Sequence, residues 1–186
     1  MSEQPIKVLL LEDSQTQAEI FLQWLSNPAG QPGFQVEWVD TLAKALECIK
    51  QERMDVILSD LSVSDSNGLD TCRHLLAHAS SIPVVVLTQA FEDEKLALEA
   101  VKAGAQDYLL KTEADEKLVR RVLLYAIERK LITDALFTTN RELERKLENI
   151  QWLNNVMMGL EARIADLQEE NRKLRAGVER PSTNST

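Results

Sequence analysis

Residues 55–70, DVILSDLSVSDSNGLD, pass from a short apolar run into a loop rich in serine, aspartate and asparagine. Val56, Ile57 and Leu58 have no polar member among them, the pattern of a strand buried on both faces of a parallel sheet. The run discharges into Ser59-Asp60, and a carboxylate at the C-terminal end of a buried strand stands where open α/β sheets keep their chemistry. Asp60 is therefore the candidate centre, provided that the rest of the chain brings it the groups such a carboxylate needs.

The same alternation recurs on both sides of this stretch. Ile6 to Leu11 form a first apolar strand ending at Glu12-Asp13, and Ser14 is placed to cap a helix that turns Ala18, Phe21, Leu22 and Leu25 inward. The prolines and glycines of residues 27–33 end that helix. Phe34-Gln35-Val36-Glu37-Trp38 alternates apolar with polar, as a strand with one wet face at a sheet edge does. Asp40 or Thr41 caps a second helix reaching Arg53, with Leu42, Ala45, Leu46 and Ile49 inward.

Beyond Asp60, Gly68 precedes a helix carrying Leu69, Cys72, Leu75 and Leu76. Ile82 to Leu87 make a strand with no polar member. A helix from Glu92 to Ala103 stops at Gly104, and Asp107 to Leu110 lead to Lys111. Five strands alternating with helices imply a parallel, doubly wound sheet, because right-handed crossovers place helices on both faces. The C-terminal ends of its strands then gather Glu12, Asp13, Asp60, Thr88 and Lys111.

The chain of 186 residues has room for one domain and an extension, and 44% hydrophobic content suits a globular core. Cys48 and Cys72 both fall in helical patterns and no apolar leader precedes Glu3, which points to a reducing, cytoplasmic compartment without disulfides. No apolar run approaches the roughly 18 residues a membrane span needs. The net charge is −9; residues 1–133 hold 13 Lys/Arg against 21 Asp/Glu, and residues 134–186 hold 8 against 9. Neither part has the clustered positive charge that a nucleic-acid backbone demands, so no nucleic acid is expected as a partner.

Three carboxylates in one crevice repel one another and stay ionised only beside compensating positive charge. Lys111 and a divalent cation would supply it, and an all-oxygen donor set suits Mg²⁺. Asp60 could then attack phosphorus to give an aspartyl phosphate, with Thr88 and Lys111 stabilising the transferring group.

The acidic pair after IKVLLLED, the acceptor in VILSD, the hydroxyl after IPVVVLT and the lysine ending DYLLK together resemble the receiver domain of two-component response regulators over residues 6–130. The resemblance implies a flavodoxin-like five-stranded sheet and a histidine kinase as phosphodonor to Asp60. It also implies Mg²⁺ held by Asp13, Asp60 and the Ser62 backbone carbonyl with Glu12 acting through water, and a switch pair of Thr88 and Tyr108. Three positions depart from the pattern. Ser64 replaces the proline usual four residues after the acceptor, which points to a looser loop. Thr112 replaces the proline usual after the lysine, so a trans peptide is expected there. Gln89 replaces a small residue; pointing outward is the favoured reading, and shielding the phosphate to set its lifetime is the sharper one.

After Lys111 the pattern turns helical near Ala114-Asp115 and meets no proline before Pro181. Leu118, Val119, Val122, Leu123, Ala126 and Ile127 supply a core-facing stripe, yet the helical pattern continues to about residue 177, roughly 90 Å at 1.5 Å per residue. Leu153, Leu160, Leu167 and Leu174 recur by sevens, with Met157, Ile164, Asn171 and Val178 between them, the d and a positions of a parallel dimeric coiled coil in which Asn171 fixes register. Leu136, Asn140, Leu143, Leu147, Ile150 and Asn154 follow a second frame offset by three residues, a stammer centred near 150–160. The expected domains are a receiver over 1–133, a coiled-coil helix over 134–180 and a disordered tail over 181–186.

His74 and His78, four apart on one helix, lack a third ligand and read as a solvated face. The leading expectation is a regulator phosphorylated on Asp60 that signals through a homodimeric coiled coil to a downstream protein, with no enzymatic turnover of its own beyond slow autodephosphorylation. The alternatives are a constitutive scaffold with a vestigial receiver, and an aspartate-nucleophile phosphohydrolase. Against the latter, Ser62 stands where such an enzyme of the haloacid-dehalogenase type carries its second aspartate.

Overall fold

The computed structural model describes residues 5–26, 33–89 and 94–178. The turn over 27–32, the helix start at Glu92 and the tail over 181–186 lie outside the described residues. The chain divides into two units, Met1–Asp134 and Ala135–Thr186.

In the first unit, β1 (Ile6–Leu11), β2 (Phe34–Val39), β3 (Val56–Asp60), β4 (Val84–Thr88) and β5 (Asp107–Leu110) form one sheet in the order β2-β1-β3-β4-β5. Every pairing is parallel, with Leu10 opposite Leu58, Asp60 opposite Leu87 and Thr88 opposite Leu110. The connecting helices are α1 (Gln15–Leu25), α2 (Leu42–Gln51), α3 (Leu69–His78) and α4 (Glu94–Ala103), and α5 (Glu116–Val178) follows β5. The alternating side chains of the central strands divide the core in two. Leu9, Leu11, Ile57 and Val86 pack with Ala45, Cys72, Leu75 and Ala100 of α2, α3 and α4. Val8, Leu10, Leu58 and Leu87 pack with Phe21 and Leu25 of α1 and with Val119 and Leu123 of α5. All of these side chains are at most 3% exposed, and burying one large aliphatic side chain contributes roughly 1.5–3 kcal/mol. Only β2, at one edge, alternates between half-buried and exposed, as its alternating sequence requires.

Three local expectations shift. β4 begins at Val84 rather than Ile82, because Pro83 has no N–H to donate to the ladder and serves it through its carbonyl, which accepts from the Ile57 N–H at 2.9 Å. α2 ends at Gln51, two residues before Arg53. Ser14 occupies the N-cap position of α1 but its hydroxyl caps nothing; instead its N–H donates to Glu12 Oε1 at 3.2 Å. Gly68 and Gly104 adopt positive φ, 61° and 123°, at the start of α3 and just beyond the end of α4, conformations that side chains oppose.

In the second unit α5 has no core of its own. Leu136, Leu143, Leu147, Ile150, Leu153, Met157, Leu160, Ile164, Leu167 and Leu174 are all more than two-fifths exposed. Its polar face carries ion pairs such as Arg172 with Glu169 at 2.7 Å, and Arg141 lies over the Phe137 ring at 4.9 Å. No helix among the described residues is long and apolar enough to cross a membrane.

Candidate functional site

The C-terminal ends of β1, β3, β4 and β5 bring five predicted residues together. One carboxylate oxygen from each of Glu12, Asp13 and Asp60 lies within 4.8 Å of the others, a donor set of oxygen atoms alone. They line a cleft of about 220 Å³ with Ser62, Thr88 and Gln89. Asp13 is exposed, whereas Glu12 and Asp60 are buried.

Lys111, following β5, reaches back between the two buried acids. Its ammonium donates to Glu12 Oε2 at 2.6 Å and to Asp60 Oδ2, with little of any of the three side chains exposed. β5 delivers it there because the Lys111 N–H is tied to the Thr88 carbonyl at 2.8 Å. Burial pushes the Glu12 carboxyl above its ordinary value; the Lys111 ammonium opposes that rise and the Asp60 charge adds to it. Both Glu12 oxygens already have donors, Lys111 and the Ser14 N–H, while Asp13 has its carboxylate at the open side of the cleft.

Thr88 ends β4 at 2% exposure, and among the described residues its Oγ1 has no hydrogen-bond partner. A buried hydroxyl left so is uncommon. Tyr108 lies on the neighbouring strand, half-buried against the core cluster of α2, α3 and α4. Gln89 is exposed, in keeping with the outward reading, and lines the cleft as well as a second hollow shared with Gln17, Ile20, Trp24 and Lys111.

The loop after the acceptor is tied, although Ser64 stands in place of proline. Val63 and Ser66 form a two-residue bridge through bonds of 2.9 and 3.2 Å. The Thr71 hydroxyl donates to the Leu61 carbonyl at 2.9 Å, the Ser62 hydroxyl to Asn67 Oδ1 at 2.7 Å, and the Ser62 N–H to Asp60 Oδ1 at 3.0 Å. Side-chain hydrogen bonds thus supply restraint that a proline ring would have supplied covalently.

Two residues in this neighbourhood escaped the sequence reading. The Trp38 indole N–H donates to the Glu12 carbonyl at 2.8 Å and, with the Glu12 N–H on the Val39 carbonyl at 3.0 Å, fixes the acidic corner of β1 against the edge strand. Asp65 accepts from two backbone N–H groups of α2. A tryptophan at the C-terminal end of a strand predicted at the sheet edge carried a usable signal; Asp65 carried none. His74 and His78 are exposed, with each Nδ1 set against the backbone carbonyl four residues earlier. Cys48 and Cys72 are free. The residues of the leucine heptad take no part in the cleft.

Comparison with known proteins agrees with this geometry. The family model "Response regulator receiver domain" matches residues 8–123. The transcriptional regulatory protein ZraR of Klebsiella oxytoca is 29% identical over 118 residues, 63% of this chain and 26% of that protein. The DNA-binding response regulator MtrA of Mycobacterium tuberculosis is 31% identical over 116 residues, 62% of this chain and 48% of that protein. The chain thus spans between a quarter and a half of the length of these curated relatives. A response regulator receiver domain protein from Clostridium thermocellum shares the fold with a TM-score of 0.60 at 23% identity, covering 69% of this chain and 98% of that one.

Proposed function

The chain belongs to the response regulator receiver domain family, and from that premise we propose that it accepts a phosphoryl group on Asp60 from a histidine kinase and relays this state through a homodimeric coiled coil formed by α5. The observation that carries the first half is the strand-end cluster, in which Lys111 bridges Asp60 and Glu12 beside Asp13 and a Thr88 hydroxyl that no described residue meets. In the transfer, an Asp60 carboxylate oxygen forms the new P–O bond while the bond to the donor's imidazole nitrogen breaks and its electron pair leaves with the imidazole. Lys111 holds the carboxylate and then faces the phosphoryl oxygens, and Thr88 offers them its free hydroxyl. Replacement of the carboxylate charge that Lys111 now neutralises by the larger charge of the phosphoryl group, together with movement of Thr88, repacks Tyr108 as the switch.

The oxygen-only donor set fits Mg²⁺, which Asp13, Asp60 and the Ser62 carbonyl would hold with Glu12 behind them. Bound there, the ion supplies charge neutralisation to the transferring group. Gln89 is exposed and lines the cleft; an effect on the lifetime of the phosphate is the sharper of its two readings, beside simply pointing outward. Ser62 occupies the place where a phosphohydrolase of the aspartate-nucleophile type carries its second aspartate.

The second half rests on the exposed heptad. Leu153, Met157, Leu160, Ile164, Leu167, Asn171 and Leu174 would pair in parallel with a second copy, Asn171 selecting register. The output is then a downstream protein that reads the coil, in the cytoplasm, without membrane or nucleic acid; the near-balanced charge of residues 134–186 suits neither. Exposure to acetyl phosphate and Mg²⁺, followed by intact-mass measurement, tests the core of the reading. One added phosphoryl group that disappears in Asp60→Asn is the expected result; labelling that survives Asp60→Asn overturns it.

A further inference from the structure

The β3–α3 loop, residues 61–68, is closed by the Val63–Ser66 bridge so that Ser64 and Asp65 form its tip. From that tip Asp65 crosses to another element. Its Oδ1 accepts from the Leu42 N–H at 2.8 Å and its Oδ2 from the Ala43 N–H at 3.0 Å, the first two N–H groups of α2. The third, that of Lys44, is taken by the Thr41 hydroxyl at 3.4 Å. The helix start is thus capped from two sources, one local in sequence and one reaching 23 residues back from the acceptor loop. A carboxylate held by two N–H groups at the positive end of a helix is a strong anchor, because charge-assisted bonds and the helix dipole act together.

The bridge hands this anchor to the site. Val63, the buried partner of Ser66, is adjacent to Ser62, whose N–H holds Asp60 Oδ1 at 3.0 Å. We propose that Asp65 is a positioning residue for the phosphoacceptor site: it moors the loop to α2 and so holds Ser62 in register with Asp60. The inference rests on the Mg²⁺-assisted phosphoacceptor reading given above, in which Ser62 lends its carbonyl to the ion. In this chain the mooring replaces the proline absent at position 64, and it ties the geometry of the metal-binding loop to α2.

The experiment compares three full-length variants, Asp65→Ala, Asp65→Asn and Thr41→Ala, by Mg²⁺ titration followed through the amide NMR signals of residues 12–14 and 61–67, with thermal melting in parallel. Both alanine variants remove a cap from α2 and are expected to melt lower, but only Asp65→Ala releases the loop. The expected result is a several-fold weaker Mg²⁺ dissociation constant in Asp65→Ala, partial rescue in Asp65→Asn, which keeps one acceptor oxygen, and an unchanged constant in Thr41→Ala. An Mg²⁺ constant in Asp65→Ala equal to that of the unaltered chain, with a lowered melting temperature, overturns the proposal and leaves Asp65 as a cap alone. Equal weakening in Asp65→Ala and Thr41→Ala overturns it too, since loss of α2 order would then be the cause. If the unaltered chain shows no Mg²⁺-dependent shifts at all, the metal reading itself falls and takes this inference with it, an outcome distinct from the other two.

Discussion

The two units of this chain handle apolar side chains in opposite ways. Within Met1–Asp134, Leu9, Leu10, Leu58, Leu87 and Leu123 are fully buried, and the groups that burial places under tension are polar: Glu12, Asp60 and Thr88. Within Ala135–Thr186, Leu153, Leu160 and Leu174 are more than half exposed, and the polar side chains lie in water. The first unit satisfies its hydrophobic groups inside one chain and concentrates its unresolved chemistry in a single cleft. Among the described residues, the second leaves its apolar stripe uncovered, the surface that the proposed pairing with another helix would bury. On the proposed reading, function is separable: reactivity would belong to the first unit and association to the second.

That separation can be broken or sharpened by substitution. The largest effect is expected from Asp60→Asn, which abolishes phosphoryl labelling by acetyl phosphate while leaving sedimentation unchanged; altered sedimentation would mean that the units are not independent. Lys111→Ala removes the cation that bridges Asp60 and Glu12, and labelling kinetics should slow on the order of 100-fold or more. Leu58→Ala opens a hole in the sheet core and should lower the chemical-denaturation stability of the first unit by about 2–5 kcal/mol. Leu160→Asp should convert the sedimentation profile from dimer to monomer and leave the labelling rate as it was. The smallest effect is expected from Asn171→Leu, which should raise the melting temperature of the coil slightly and broaden its distribution of oligomeric states.

The strand-end residues were legible because each one terminates an apolar run: Asp13 after β1, Asp60 in β3, Thr88 in β4 and Lys111 after β5. A parallel sheet aligns such ends on one edge, so order along the chain sufficed to place them together. The mooring by Asp65 was not legible, and for the Trp38 bond to Glu12 only the position of the tryptophan at the end of the edge strand was. The two contacts join positions 23 and 26 residues apart through loops and side-chain tips, which no local periodicity encodes. Ser14 failed as a capping hydroxyl for a related reason: Glu12, facing inward at 1% exposure, takes the Ser14 N–H into the site instead. Proline at 83 was visible from the start, but its effect was to delay β4 rather than to end it.

The Thr88 hydroxyl, buried without a partner among the described residues, has a consequence for how such a protein changes under selection. A buried hydroxyl that no described protein group meets weakens the resting fold, and valine has nearly the same shape without that burden. A library of variants screened for heat resistance alone should therefore enrich Thr88→Val early, and on the proposed reading the survivors would be sturdier proteins unable to respond. Only a screen that also demands a response to phosphate would keep the threonine.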